Sequence, residues 1–277
     1  MSEIELSRQR YRKKQNTKSV LVSIVSTLVF AAVIALVLVN SPGWERVSHT
    51  FFNVEVGLKS FPKVLQGLWL NIQVLCVAVI GVAVFASLLA VVRTLRGAVF
   101  TPLRIAAAFY VDIFRGIPVL LVLYLVGFGV PALELTGRMP AQFWGTIALI
   151  LSYSAYVSEV LRAGIEAVHP SQRIAARSLG LSHAKTLRLV VMPQALRKVS
   201  PALMNDFVSM QKDVGLISVL GAVDAVRAAQ IDVAMTYNYT PYLVAGILFV
   251  LLSFPFLRLT DYITKRQQQR EQIGGIV

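Results

Sequence analysis

Six stretches of this 277-residue chain are apolar and long enough to cross a bilayer, and polar segments separate them. They cover residues 20–39, 67–92, 105–130, 141–158, 200–220 and 240–257. The first holds 20 residues without a charge, long for a signal peptide, and no small-x-small cleavage site precedes Asn40. It therefore reads as a retained span. Residues 40–66 carry Pro42, Trp44, Phe51, Phe52 and Pro62 and read as an outer segment with aromatic side chains at the membrane interface. The third stretch contains Asp112 and Arg115. Either one helix holds that pair on one face at i, i+3, or residues 101–112 form a short interfacial helix and the span begins near Ile113. Residues 221–240 read as an outer loop. The expected fold is an all-α integral membrane protein with six transmembrane helices, a single domain over residues 20–260 flanked by polar tails at 1–19 and 261–277.

The longest polar interruption, residues 159–195, reads as two short helices joined at a glycine. Pro170 suits a first helical turn, where its missing N–H costs nothing. Gly180 falls where a helix ends in a left-handed residue. Ser182 caps the second helix, and Pro193 limits how far that helix continues. Ala175 and Ala176 let another surface come close, Ala175 shares a face with Leu179, and Arg173 and Arg177 lie beside it. The segment is thus either a compact knob offered to a partner or an amphipathic hairpin lying on the membrane.

Charge sets the orientation. The net charge is +13, yet 20 of the 27 Lys and Arg residues fall on residues 1–19 and 258–277 and on segments 93–104 and 159–199. Segments of the opposite side hold only Arg46, Lys59, Lys63, Arg138 and Arg227, while Arg115 and Lys212 lie within spans. Basic residues collect on cytoplasmic loops, so both termini and the 159–195 loop are expected inside. This clustering between spans, with aromatics interleaved in no strand-like pattern, argues against nucleic-acid binding. Cys76 is the single cysteine, and His49, His169 and His183 have no metal-ligand spacing. No Ser/His/Asp arrangement, P-loop or dinucleotide fingerprint occurs, so no catalytic, metal or cofactor residue is expected. Any ATP and magnesium must be held by another chain.

The 159–195 loop resembles the EAA loop of ABC-transporter permeases. That pattern is Glu-Ala-Ala, three residues, Gly, nine residues and Ile-x-Leu-Pro. Here Ile174, Ala175 and Ala176 are followed by Gly180 and then by Val190, Val191, Met192 and Pro193 at the same spacing. Ile174 stands where the family has glutamate. The resemblance extends over roughly residues 60–265 and points to the polar amino-acid importers. Tyr110 with Phe114, Arg115, Gly116, Ile117 and Pro118 resembles that branch's Tyr…Phe-Arg-Gly-Thr-Pro. Ala155, Tyr156, Glu159, Arg162, Gly164 and Ile165 are similar to its Ala-Tyr…Glu…Arg-Gly-Gly-Ile. Asn205, Phe207, Lys212 and Asp213 resemble its Asn-x-Phe…Leu-Lys-Asp, which continues Thr-Ser-Leu where this chain has Val214, Gly215 and Leu216. Asp224, Arg227 and Gln230 resemble the outer segment that follows.

The resemblance implies a fold like the type I ABC importer permeases, with a cytoplasmic coupling-helix loop. It also implies an ABC ATPase dimer, a second permease copy or a sibling, an extracytoplasmic solute-binding protein and a polar amino-acid substrate. Lipid surrounds the spans.

Charged groups inside a span are costly unless they pair or line a wet cavity. Asn205, Ser209 and Lys212 recur at i, i+4, i+7 on the fifth span, with Asp206 and Asp213 on a neighbouring stripe. They either line the path or pair with one another and with Arg115. Gly116 and Pro118 can kink the third span. Tyr156 and Glu159 share a face at i, i+3. Glu159 serves an inner gate or a substrate ammonium, or it pairs with Arg162 or Arg115.

Overall fold

A computed structural model describes residues 3–95, 97–135 and 137–274, with side chains at 18–267 (except 96 and 136) and at 269. The side chains of Arg8, Arg10, Arg12, Lys13, Lys14 and Arg270, and the whole of Arg96, lie outside the described residues. The chain divides into two compact units, Met1–Asn53 and Val54–Val277. In the first, helix α1 (Glu3–Val39) contains the charge-free run at 20–39, every residue of which is exposed. A short helix α2 (Trp44–Phe51) follows, and the Trp44 and Phe52 rings lie 6.4 Å apart. The segment expected outside, residues 40–66, is therefore partly helical.

The second unit is built on α3 (Val54–Thr94), whose 41 residues span about 60 Å at ~1.5 Å per residue. It begins well before residue 67, the expected start of the second span, and runs through Pro62. One face of α3 recurs at i, i+4 through Val74, Ala78, Val82, Ala86 and Ala90, all buried. That face packs on α6 (Ala141–Glu166), where Ala148, Leu149 and Tyr153 meet it, and on α9 (Met192–Asp213) at Met210. Small side chains let the backbones approach, the source of packing energy where lipid offers no hydrophobic drive.

The third stretch takes neither expected form. Helix α4 (Thr101–Gly116) and helix α5 (Val119–Tyr124), extended by a π-turn over Leu125–Gly129, meet at an angle of 108°. Pro118 supplies no N–H, and the residue before a proline avoids the helical region. Ile117 is accordingly extended, at φ −101° and ψ 132°. Asp112 and Arg115 both lie on α4 and are exposed, without an ion pair among the described residues.

The expected outer loop at 221–240 contains helix α10 (Ala225–Thr236), which packs on α3 and on α11 (Thr240–Gly274). The chain reaches it from α9 through a 3-10 segment, Val214–Leu220, and a left-handed Gly221. Asn71 of α3 clamps the junction. It donates to the Val214 carbonyl at 3.1 Å and to Asp224 at 2.9 Å, and accepts from the Ala225 N–H at 3.1 Å. Gly67, one turn earlier, lies against the same backbone; a Cβ there would collide with Asp224 and Ala225. Among the described residues no strand occurs. Four helices are long and apolar enough to cross a membrane, and six spans result if each of two bent pairs counts as one.

Candidate translocation path and docking loop

Helices α6 and α9 bring polar side chains together inside the bundle. Tyr153 and Tyr156, one turn apart on α6, have ring centroids 6.1 Å apart. The Tyr153 hydroxyl donates to Asp213 at 2.7 Å, and the Tyr156 hydroxyl donates to the Arg115 carbonyl at 3.2 Å. Asp206, two turns before Asp213 on α9, lines a cavity of about 250 Å³ with Ser87, Tyr153, Phe207 and Met210. Its Oδ2 is buried without a hydrogen-bond partner. An orphan carboxylate oxygen costs free energy until a donor reaches it, so this wall suits a cationic group.

The expected polar stripe splits around α9. Asp206 and Asp213 are partly buried, Ser209 is half-buried, and Asn205 and Lys212 are exposed. Lys212 pairs with neither aspartate, and among the described residues neither Lys212 nor Arg115 forms an ion pair.

Glu159 sits at the other end of α6 in a ladder of ion pairs. Arg93 of α3 meets it at 2.6 Å, Arg162 meets it at 2.5 Å, and Arg162 also reaches Glu166 at 2.5 Å. Arg115 takes no part. Both Glu159 oxygens are occupied, so the carboxylate ties α3 to α6 and offers little free capacity to a ligand.

The loop beyond α6 folds as two short helices joined at Gly180. Helix α7 (Pro170–Ser178) opens with Pro170, the His169 side chain accepts from the Ser171 N–H, and Gly180 has φ +81°. Helix α8 (His183–Thr186) is capped by the Ser182 side chain, which accepts from the Lys185 N–H. Ile174 is 66% exposed, Leu179 is 83% exposed and Ala175 is also exposed, which makes an apolar tip. Ala176 differs from its expected role: it is buried under the loop. Arg177 is exposed, whereas Arg173 donates to the Ile165 carbonyl and fastens α7 to the end of α6. Pro193 does not end a helix. A π-turn over Leu187–Val191 leads into α9, and Pro193 occupies its first turn, where no N–H is needed.

The fold carrying these features is shared. Residues 97–269 match the family model described as "Binding-protein-dependent transport system inner membrane component". The chain belongs to that family. The permease is 35% identical over 198 residues to the arginine transport system permease protein ArtQ of Bacillus subtilis (strain 168), covering 70% of this chain and 88% of that protein. It is 37% identical over 205 residues to a Rickettsia prowazekii (strain Madrid E) protein described as a glutamine transport system permease, GlnP, covering 71% and 92%. A crystal structure of an amino acid ABC transporter with histidines superposes with TM-score 0.67 at 33% identity, over 76% of this chain and 96% of that chain.

Several residues that organise the permease escape sequence reading. Tyr153 reads as one more apolar residue, yet it contacts Asp213. Arg93 reads as the basic end of a span, yet it shares Glu159. Asn71 and Gln211 are both fully buried; Asn71 is a polar residue inside an apolar run, a pattern that could have flagged it, whereas Gln211 is hidden among the polar neighbours Ser209, Lys212 and Asp213. Gln211 accepts from the Ser253 hydroxyl at 2.5 Å and links α9 to α11.

Proposed function

We propose that this chain is the permease subunit of an ABC importer for a polar amino acid, and that the Asp206–Tyr153–Asp213 lane forms part of its translocation path. Two permease subunits, copies or siblings, enclose the pathway. A binding protein delivers the substrate from outside, and an ATPase dimer docks on the loop around Gly180 inside. The termini lie in the cytoplasm and the chain spans the cell membrane. The observation that carries this reading is the unpartnered Asp206 oxygen on the wall of a cavity between three spans. An amino acid brings an ammonium for such a carboxylate, while Lys212 on α9 and Arg115 on α4, neither in an ion pair among the described residues, are cations available to its carboxyl group. The similarity to permeases named for arginine and glutamine supports the substrate class.

The test is uptake in proteoliposomes containing this permease, its ATPase and its binding protein. ATP-dependent accumulation of labelled arginine, glutamine or another polar amino acid is expected, with Asp206→Asn lowering the rate while the complex still assembles. An assembled, ATP-hydrolysing complex that accumulates no amino acid would refute the substrate class. Normal uptake by Asp206→Asn would move the path elsewhere.

A further inference from the structure

The back of the docking loop carries a second polar site. Arg173, Arg177, His183, Thr186, Leu187 and Val191 enclose a pocket of about 60 Å³ between α7 and α8. Thr186 is 4% exposed, and its Oγ1 is buried without a hydrogen-bond partner. A helical threonine often bonds back to the i−4 carbonyl; here the Ser182 carbonyl receives the Thr186 N–H at 2.8 Å but not the hydroxyl. The Nε of Arg173 is also buried and unpartnered, while its other end is held by the Ile165 carbonyl. Two orphan groups thus face one pocket beside a second guanidinium and an imidazole. Among the described residues no ion pair balances them, and residues 167–205 hold six Lys and Arg side chains, two histidines and no Asp or Glu.

We propose that this pocket binds the phosphate group of an anionic lipid headgroup or of inorganic phosphate, held by Arg173, Arg177, His183 and the Thr186 hydroxyl. The volume suits one oxyanion, and the donors surround it as charge-assisted hydrogen bonds require. Such a ligand stiffens the joint between α7 and α8. The assignment stands apart from ATPase docking on the Ile174 and Leu179 tip.

The experiment follows thermal unfolding of the full-length permease in phosphatidylcholine nanodiscs. Inorganic phosphate should raise Tm above chloride at equal ionic strength. Thr186→Val and Arg177→Gln should each weaken that response about tenfold, as expected for one lost charge-assisted bond, while Thr186→Ser keeps it. Thr186→Val should also raise Tm in phosphate-free buffer, because it removes an unsatisfied buried hydroxyl. In phosphatidylglycerol nanodiscs, loss of the phosphate response together with a raised starting Tm assigns the site to lipid. Persistence of the response assigns it to free phosphate. No response to either, as expected if water alone fills the pocket, would overturn the proposal. So would an unchanged response in Thr186→Val. Stabilisation seen only on adding the ATPase, and lost in Thr186→Val, would give the pocket to a protein carboxylate and equally overturn it.

Discussion

Lys212 and Asp213 are neighbours in sequence but differ in their energetic position. Asp213 accepts from the Tyr153 hydroxyl, whereas Lys212 is exposed and has no ion-pair partner among the described residues. Hydrogen bonds between membrane helices average only about 0.6 kcal/mol in double-mutant cycles. Leaving a carboxylate oxygen unsatisfied adds to that, so Tyr153→Phe should cost about 1 kcal/mol of stability. Lys212→Met breaks no pair and should stay within about 0.5 kcal/mol of wild type, as surface changes do, while slowing uptake. Yield and thermal stability of the two variants, measured beside transport, check the contrast. A stability loss in Lys212→Met equal to that in Tyr153→Phe would show that Lys212 holds helices together. Gly180 gives a second residue-scale expectation. Its φ is +81° and a side chain there would meet open space, so any penalty is in the backbone alone. Gly180→Asn should dock the ATPase almost normally, because asparagine tolerates left-handed geometry. Gly180→Val should pay about 1–2 kcal/mol in strain and dock less well. Equal co-purification of the ATPase with both variants would sink that argument. Gly180 was legible in the sequence because a helix-ending glycine has few other uses. Tyr153 was not, because its partner lies 60 residues away.

At the scale of elements, the junction between α9 and α10 depends on Asn71. Three hydrogen bonds from one buried side chain hold the Val214 carbonyl, the Asp224 carboxylate and the Ala225 N–H. Asn71→Ala removes all three at once, although the Asp224 carboxylate keeps the Arg227 N–H at 2.9 Å. With each orphan costing about 1–3 kcal/mol, and partial relief from water or rearrangement, a loss of about 2–3 kcal/mol is expected. It should appear as a lowered Tm with helical content unchanged, since no helix depends on Asn71 for its own backbone bonds. A wild-type Tm in Asn71→Ala would mean that Gly67 packing alone fixes the junction. The elements most visible in the sequence were the long apolar runs and the Pro118 break, whose causes are local. The direction of that break was hidden, because Pro118 forbids a straight helix without choosing an angle. The π-turns at Leu125–Gly129 and Leu187–Val191 leave no mark in composition. Helix α10 escaped for another reason. It carries small residues at Ala225, Ala228 and Ala229 that become a buried face only when α3 and α11 pack against them.

For the whole molecule, the decisive quantity is the side of the membrane on which each end of the long helices emerges. The apolar runs say where the chain crosses, and the excess of Lys and Arg on alternate segments says which way. Within Val54–Val277, the docking loop and α10 are then expected on opposite sides, joined by the 22 residues of α9 and its 3-10 extension. At ~1.5 Å per residue α9 alone covers about 33 Å, enough for the hydrocarbon core. Exposed positions on each element make this measurable: Lys185 on the knob and Met235 near the end of α10. In a Cys76→Ala background, Met235→Cys should react with a membrane-impermeant thiol reagent in intact cells, and Lys185→Cys only after the membrane is opened. Both variants should retain uptake, because neither position belongs to the lane or to the apolar tip. The reverse labelling pattern would place the knob outside, out of reach of any ATP-driven partner. The Gly180 loop would then lose its coupling role, and the bias of basic residues would need another cause.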